Sequence, residues 1–346
     1  MHSCCNFFSG GTPLSSNRKF YKGTIPFIRS GEINSDKTTL FINNDALKNS
    51  SAKIVKKGDL LLALYGATSG EIGISKIDGA INQAILCIRT EQDKNFIKYQ
   101  WQKNKTKILD TYLQGGQGNL SSQLVGSLVF GFPNLDEQRK IAIFLNLIDD
   151  RIETQNKIIS KYESLIKSIM QKIFTNQAVL KTTTKLHNLI NIFTGKRNAN
   201  EAVEGGSFPF FTCGKEILRI DKYSFEGESL LISGNGEIGQ IKYFNGKFDA
   251  YQRTYVLQNS KIPMLYLKAY LSFILPMVIG KNKQQSAMPY IVLETLKNID
   301  IPIIDDINTN LIIDLFKILD KKAENEKRYS ELLLKERAYL MNNMFI

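Results

Sequence analysis

The sequence predicts an α+β protein in which two repeated globular α/β domains are separated by two long antiparallel coiled-coil helices. Three observations predict it. A heptad of apolar residues runs for more than four repeats in the middle of the chain. The whole chain repeats itself at offsets of 166 to 185 residues. Short β-branched apolar runs, bounded by glycine turns, precede a helix in each copy.

The repeat is read residue by residue. Gly58–Asp59–Leu60–Leu61–Leu62 recurs as Gly227–Glu228–Ser229–Leu230–Leu231, and Ala80–Ile81–Asn82–Gln83 as Asp249–Ala250–Tyr251–Gln252. Gly70–Glu71–Ile72–Gly73 matches Gly236–Glu237–Ile238–Gly239. Upstream, Phe8–Ser9–Gly10 matches Phe193–Thr194–Gly195, and Ile25–Pro26–Phe27–Ile28 matches Phe208–Pro209–Phe210–Phe211. Strands are expected within Ile54–Leu64 and Ile81–Ile88, and in the second copy at Leu230–Ser233, Gln240–Phe244 and Tyr255–Leu257. A helix follows in each copy, Asn95–Tyr112 and Pro263 to about Val278. Next come loops rich in Gly, Gln or Lys at 114–119 and 280–286.

Each copy ends in a long helix. From Phe132 to Phe174, apolar residues recur at Ile141, Leu145, Ile148, Ile152, Ile159, Tyr162, Ile166, Ile169 and Ile173, with Gln155 the polar member of the seam. Steps alternating four and three define the a and d positions of a coiled coil. Phe132–Pro133 stops the preceding segment, Asp136 is the expected cap, and Glu137 places negative charge in the first turn. At about 1.5 Å per residue the helix is roughly 60 Å long, the length of a spacer. The second helix, about Thr309 to Asn343, carries the weaker seam of Ile312, Phe316, Leu319, Ala323, Glu326, Ser330, Leu333, Arg337, Leu340 and Met344. Gln155 and Glu326 share one repeat position; a polar residue there either fixes register or reflects drift. Thr175–Lys185, polar and threonine-rich, reads as a linker.

Composition narrows the function. In 346 residues, 45 Lys and Arg stand against 33 Asp and Glu, a net charge of +12, which favours a polyanionic partner, nucleic acid first. Cys4, Cys5, Cys87 and Cys213 have no CxxC spacing, and only His2 and His187 could join them, so reduced thiols in a cytoplasmic protein are expected and no metal. The N-terminus has neither the charged region nor the apolar run of a signal peptide. The most apolar stretch, Met264–Gly280, is broken by Lys268 and Pro276 and is short for a membrane span.

Catalytic motifs are missing. Gly234–Asn235–Gly236–Glu237–Ile238–Gly239 fits GxGxxG, but a strand rather than a helix is expected after it, so it reads as a turn and not a dinucleotide site. No P-loop, and no NPPY or DPPY tetrapeptide of an adenine methyltransferase, is present. Glu163 with Lys167 reads as an i,i+4 surface pair. What is left is a recognition surface. Arg suits guanine edges, Asn and Gln suit adenine edges, and Lys suits phosphates. The candidate DNA contacts are Arg18, Lys19, Lys22, Arg29, Tyr65, Asn82, Gln83, Gln117 and Asn119 in the first copy. In the second they are Lys196, Arg197, Lys215, Asn235, Gln252, Arg253, Lys281 and Gln284. Tyr65, Asn82 and Gln83 serve equally well as turn or packing residues.

Several stretches in fixed order resemble the specificity subunits of type I restriction–modification enzymes: SGGTP at Ser9–Pro13, IPFIRSGEI at Ile25–Ile33, GDLLLALYGATSGEIGI at Gly58–Ile74, AINQAI at Ala80–Ile85, GNLSSQLVGSL at Gly118–Leu128 and PNLDEQRKIAIFLNLIDDRI at Pro133–Ile152. The second copy has thinner versions. The resemblance implies a target-recognition domain at 1–132, a spacer helix at 133–175, a linker at 176–185, a second target-recognition domain at 186–302 and a second spacer helix at 303–346. It implies that each domain reads half of a bipartite double-stranded DNA target, and that helix length sets the gap. It implies two modification subunits, which bind S-adenosylmethionine and methylate adenine N6, and two restriction (motor–nuclease) subunits as partners. The chain itself would bind no cofactor and hold no catalytic residue. Members of the family usually carry further residues ahead of the position of Met1. The alternative is a scaffold that tethers partner subunits through its helices without reading DNA.

Overall fold

The computed structural model describes residues 1–112, 119–176, 182–282 and 290–345. The chain divides into two units, 1–156 with 329–346, and 157–328. Each unit therefore holds part of both long helices.

The first unit opens with β1 (Cys5–Ser9), β2 (Ile25–Ile28), β3 (Phe41–Ile42) and α1 (Asn44–Lys48). Strands β4 (Lys53–Val55), β5 (Leu60–Ala63), β6 (Ile72–Ile74), β7 (Gly79–Ile81) and β8 (Ile85–Thr90) follow, then α2 (Lys94–Tyr112) and α3 (Ser122–Ser127). One sheet has the order β1-β8-β5-β6 and is antiparallel; the other has the order β3-β2-β7-β4, with β2 and β7 parallel. The run GDLLLAL is apolar without alternation because β5 is covered on both faces. Leu60 and Leu62 pack under Ile97, Trp101 and Ile108 of α2. Leu61 and Ala63 face Ile28, Val55 and Ile81.

In the second unit, β9 (Thr182–Lys185), α5 (Leu186–Leu189), β10 (Asn191–Thr194), β11 (Phe208–Phe211), β12 (Ile217–Ile220), β13 (Phe225–Ser233), β14 (Ile241–Ala250) and β15 (Thr254–Gln258) lead into α6 (Met264–Asn282), α7 (Leu293–Lys297) and β16 (Asp300–Ile303). The sheet order β10-β15-β13-β14 repeats β1-β8-β5-β6. The parallel pairing repeats too: Phe27 and Ile28 lie opposite Ala80 and Ile81, and Phe210 and Phe211 lie opposite Asp249 and Ala250. Here β13 joins in one strand what β4 and β5 form in two, and β14 likewise stands for β6 and β7.

The long helices are α4 (Leu135–Phe174) and α8 (Asp306–Met344). Every predicted seam position on both is buried or half-buried, and Gln155 is only 4% exposed. They run antiparallel within each unit. In the first, Asp149 pairs with Arg337 and Asn156 with Ser330; in the second, Glu163 pairs with Lys327 at 2.8 Å.

Three expectations need correction. The cap of α4 is Asn134, whose Oδ1 accepts from Glu137 N at 2.9 Å; Asp136 already lies in the first turn. The helix α8 starts earlier than Thr309 because Asp305 accepts from Asn308 N at 2.9 Å. The predicted linker is not wholly irregular: Thr182–Lys185 pairs antiparallel with Asp300–Ile303, since three β-branched threonines suit an edge strand once a partner is brought to them. In addition, α6 continues through Pro276 to Asn282, with Leu267, Leu271 and Leu275 fully buried on one face. No described helix is long and apolar enough to cross a membrane.

Candidate nucleic-acid interface

Antiparallel pairing fixes where the loops meet. In the first unit β1 and β5 both run antiparallel to β8, so their C-terminal ends lie together beside the start of β8. There the residues after β1, β5 and β7 converge. Gly10 N donates to the Asn82 carbonyl at 3.2 Å, and Leu64 N to the Ala84 carbonyl at 2.8 Å. A Cβ on Gly10 would lie 1.8 Å from the Ile81 carbonyl oxygen, so only glycine permits this approach. The second unit repeats the device. A Cβ on Gly195 would lie 2.0 Å from the Ala250 carbonyl oxygen, and Gln252 N donates to the Arg197 carbonyl at 3.0 Å.

This convergence gathers Tyr65, Asn82 and Gln83 in the first unit, together with Thr12, which composition did not single out. The Thr12 hydroxyl donates to Gln83 Oε1 at 2.6 Å. The Gln83 side chain also adjoins the Tyr65 hydroxyl, whose pKa is raised by burial and pulled back by that contact. Asn82 is half-buried, and its Oδ1 accepts from Ala84 N at 3.1 Å, a turn role. Asn119 is exposed next to Leu120, whose N–H donates to the Leu64 carbonyl at 2.9 Å. In the second unit the same place holds Lys196, Arg197, Asn235, Gln252 and Arg253, with Lys196, Gln252 and Arg253 exposed.

The remaining candidates are placed elsewhere. Arg18 and Lys19 are exposed on a 3-10 turn at Arg18–Tyr21 capped by Asn17, and Lys22 ends it. Lys215 is exposed after β11, with its carbonyl accepting from Lys242 Nζ at 3.1 Å. Gln117 and Gln284 lie outside the described residues, as does the side chain of Lys281.

Two arginines are tied to their own domain. Arg29 pairs with Glu32 at 3.2 Å and donates to Thr39 Oγ1 at 2.8 Å. Burial alone would raise the Glu32 carboxyl, but hydrogen bonds from Arg29, the Thr39 backbone and Thr38 bring it down to about 2. Arg197 bonds both Glu201 and Asp249, the latter fully buried and also accepting from Ser224 Oγ at 2.8 Å. Both guanidiniums hold loops in place, which a list of basic residues could not reveal. The GxGxxG stretch lies between β13 and β14, a turn joining two strands. Among the described residues no group of three His, Cys, Asp or Glu could hold a metal.

A family model described as the type I restriction modification DNA specificity domain matches residues 3–164 and again 179–334. The specificity subunit of the type I restriction enzyme EcoDI of Escherichia coli is 34% identical over 148 residues, which are 42% of this chain and 32% of that one. The MjaVIII specificity subunit of Methanocaldococcus jannaschii is 22% identical over 348 residues, covering 84% of this chain and 78% of the relative. The chain thus spans about a third of the length of the bacterial relative. The crystal structure of the S subunit of a type I restriction–modification system from M. genitalium shares the fold, with a TM-score of 0.68 at 18% identity over 100% of this chain and 94% of that one. A chain from a structural study of complex assembly in the type I R-M system is alike in fold at a TM-score of 0.56 and 12% identity, over 99% and 97% of the two chains. With both of its halves matched, the chain belongs to the family of type I restriction–modification DNA specificity domains.

Proposed function

We propose that this chain is the non-catalytic sequence-specificity subunit of a cytoplasmic type I restriction–modification enzyme. Each globular domain reads one half of a bipartite double-stranded DNA target. Two modification subunits, which carry S-adenosylmethionine and methylate adenine N6, and two restriction subunits dock on it. The observation that supports this reading is the repeated convergence of loops after β1, β5 and β7 and after β10, β13 and β14. At one end of a sheet it presents exposed amide side chains in the first unit and exposed amide and cationic side chains in the second. Amides and guanidiniums meet base edges, and lysines meet phosphates.

The test is to co-express the chain with its modification subunit and sequence the N6-methyladenine left in the host genome. Methylation confined to one two-part sequence with a fixed gap is expected; methylation at no bipartite sequence refutes the reading. A scaffold that does not read DNA is distinguished by reversing the charge of Arg18, Lys19 and Lys22 together. Reading predicts weaker DNA binding and a salt dependence shallower by about 0.9 for each phosphate that is no longer neutralised. A scaffold predicts no change.

A further inference from the structure

We propose that Gln83 is a specificity-determining residue of the first domain, its amide held in one orientation by Thr12. The proposal rests on the functional reading above and adds to it the residue that orients this side chain.

A free glutamine amide has both an acceptor and donors, and its usual partner is adenine, where Oε1 accepts from N6 and Nε2 donates to N7. Gln83 is exposed, but its amide is not free to turn. The Thr12 hydroxyl donates to one lone pair of Oε1 at 2.6 Å, and the Tyr65 hydroxyl lies beside the same side chain. The backbone fixes both neighbours. Thr12 follows Gly10 and Gly11, which are pressed against Ile81 and Ser51 with no room for a Cβ. Gln83 follows Asn82, whose carbonyl accepts from Gly10 N and from Ile85 N. Tyr65 follows β5, whose next residue on the β8 side is held by Leu64 N donating to the Ala84 carbonyl. The amide is therefore held with its oxygen on Thr12, and the base edge it can pair with depends on that orientation. The repeat supplies a contrast. Gln252 occupies the same position, but the residue aligned with Thr12 is Arg197, which is committed to Asp249 and Glu201.

The test compares the methylated motif of the full chain, with its modification subunit, for wild type, Gln83→Ala, Thr12→Val and Thr12→Ser. Gln83→Ala should lose about five- to hundredfold in discrimination at one base position of one half-site, the range of a single base contact. Thr12→Val releases the amide and should broaden the bases accepted at that same position. Thr12→Ser keeps the hydroxyl and should match wild type. The other half-site, read by the second domain of the same molecules, reports that each variant is folded. An unchanged motif for Gln83→Ala overturns the assignment, and so does loss of all methylation by a variant that still melts like wild type. A change for Gln83→Ala without one for Thr12→Val overturns the clamp. If wild type itself marks no bipartite sequence, the functional reading fails instead.

Discussion

The two domains share a strand order but lock it with different polar groups. In the first, Asp59 lies buried between the Arg89 guanidinium at 2.9 Å and the Lys94 ammonium at 3.7 Å, at the turn that separates β4 from β5. Burial alone would raise its carboxyl, yet Arg89, the Lys56 backbone and Lys94 hold it below the usual carboxylate range. The residue at that repeat position in the second domain, Glu228, is exposed and accepts from the Tyr243 hydroxyl at 2.8 Å. The second domain buries Asp249 instead, where the first has Ala80. Continuous β13 has no turn there to fasten, whereas the loop after β10 does need an anchor. At the helix junction the pattern recurs: Asp149 meets Lys98, Tyr99 and Arg337, while Asp320, its repeat equivalent, meets Lys268 alone among the described groups. Apolar positions and tight glycines carry the shared topology, and buried polar groups are free to differ between copies.

The contrast can be broken most sharply at the tight glycine approach common to both domains. Gly10→Ala and Gly195→Ala each force a Cβ against a carbonyl oxygen, so both should destabilise their own domain by about 3 kcal/mol, read as hydrogen exchange of β8 and of β15. Unequal costs would mean that the two close approaches are not equivalent.

A similar loss, about 2–3 kcal/mol, is expected for Asp249→Ala, which leaves Ser224 and the Ala250 N–H without a buried acceptor. Glu228→Ala, at the exposed site, should move the urea midpoint little. If the two variants cost the same, burial is not what distinguishes the carboxylates.

Next comes the helix junction. Tyr99→Phe removes hydrogen bonds to Asn146 at 2.7 Å and Asp149 at 2.8 Å and should cost about 1–2 kcal/mol. Lys268→Met, in the second domain, replaces one half-buried ion pair by packing and should cost less than about 1 kcal/mol.

A pH dependence at β2 of the first domain completes the contrast. Glu32, with a folded pKa of about 2 against an ordinary value of 4.5, contributes stability that is full above pH 4.5 and is lost as pH falls through 2. Glu32→Gln should therefore weaken hydrogen-exchange protection of β2 by about 1 kcal/mol near neutral pH, and the difference from wild type should shrink between pH 4.5 and 2. The repeat equivalent is Lys215, so β11 should show no such dependence; an equal response there would contradict the assignment.

The legible part of the molecule was the periodic part. Heptads from Ile141 to Ile173 and from Ile312 to Met344 specify long helices because a one-residue slip would expose the seam, and the repeat offset predicts the shared strand order for the same reason. Less legible were contacts between residues far apart in sequence. Thr182–Lys185 looks like a linker until Asp300–Ile303 is brought beside it. Arg29 and Arg197 read as unpartnered cations in the sequence, and the structure pairs them with Glu32, Asp249 and Glu201.

By itself, then, the sequence determined the duplication, the helices and the family, because periodicity and repetition are local and additive. Only the tertiary structure decided which side chains in those loops are committed and which are free. A guanidinium or an amide reads the same in sequence whether it faces solvent or a buried carboxylate, and the pairing that settles it spans tens of residues, from Thr12 to Gln83 and from Arg197 to Asp249.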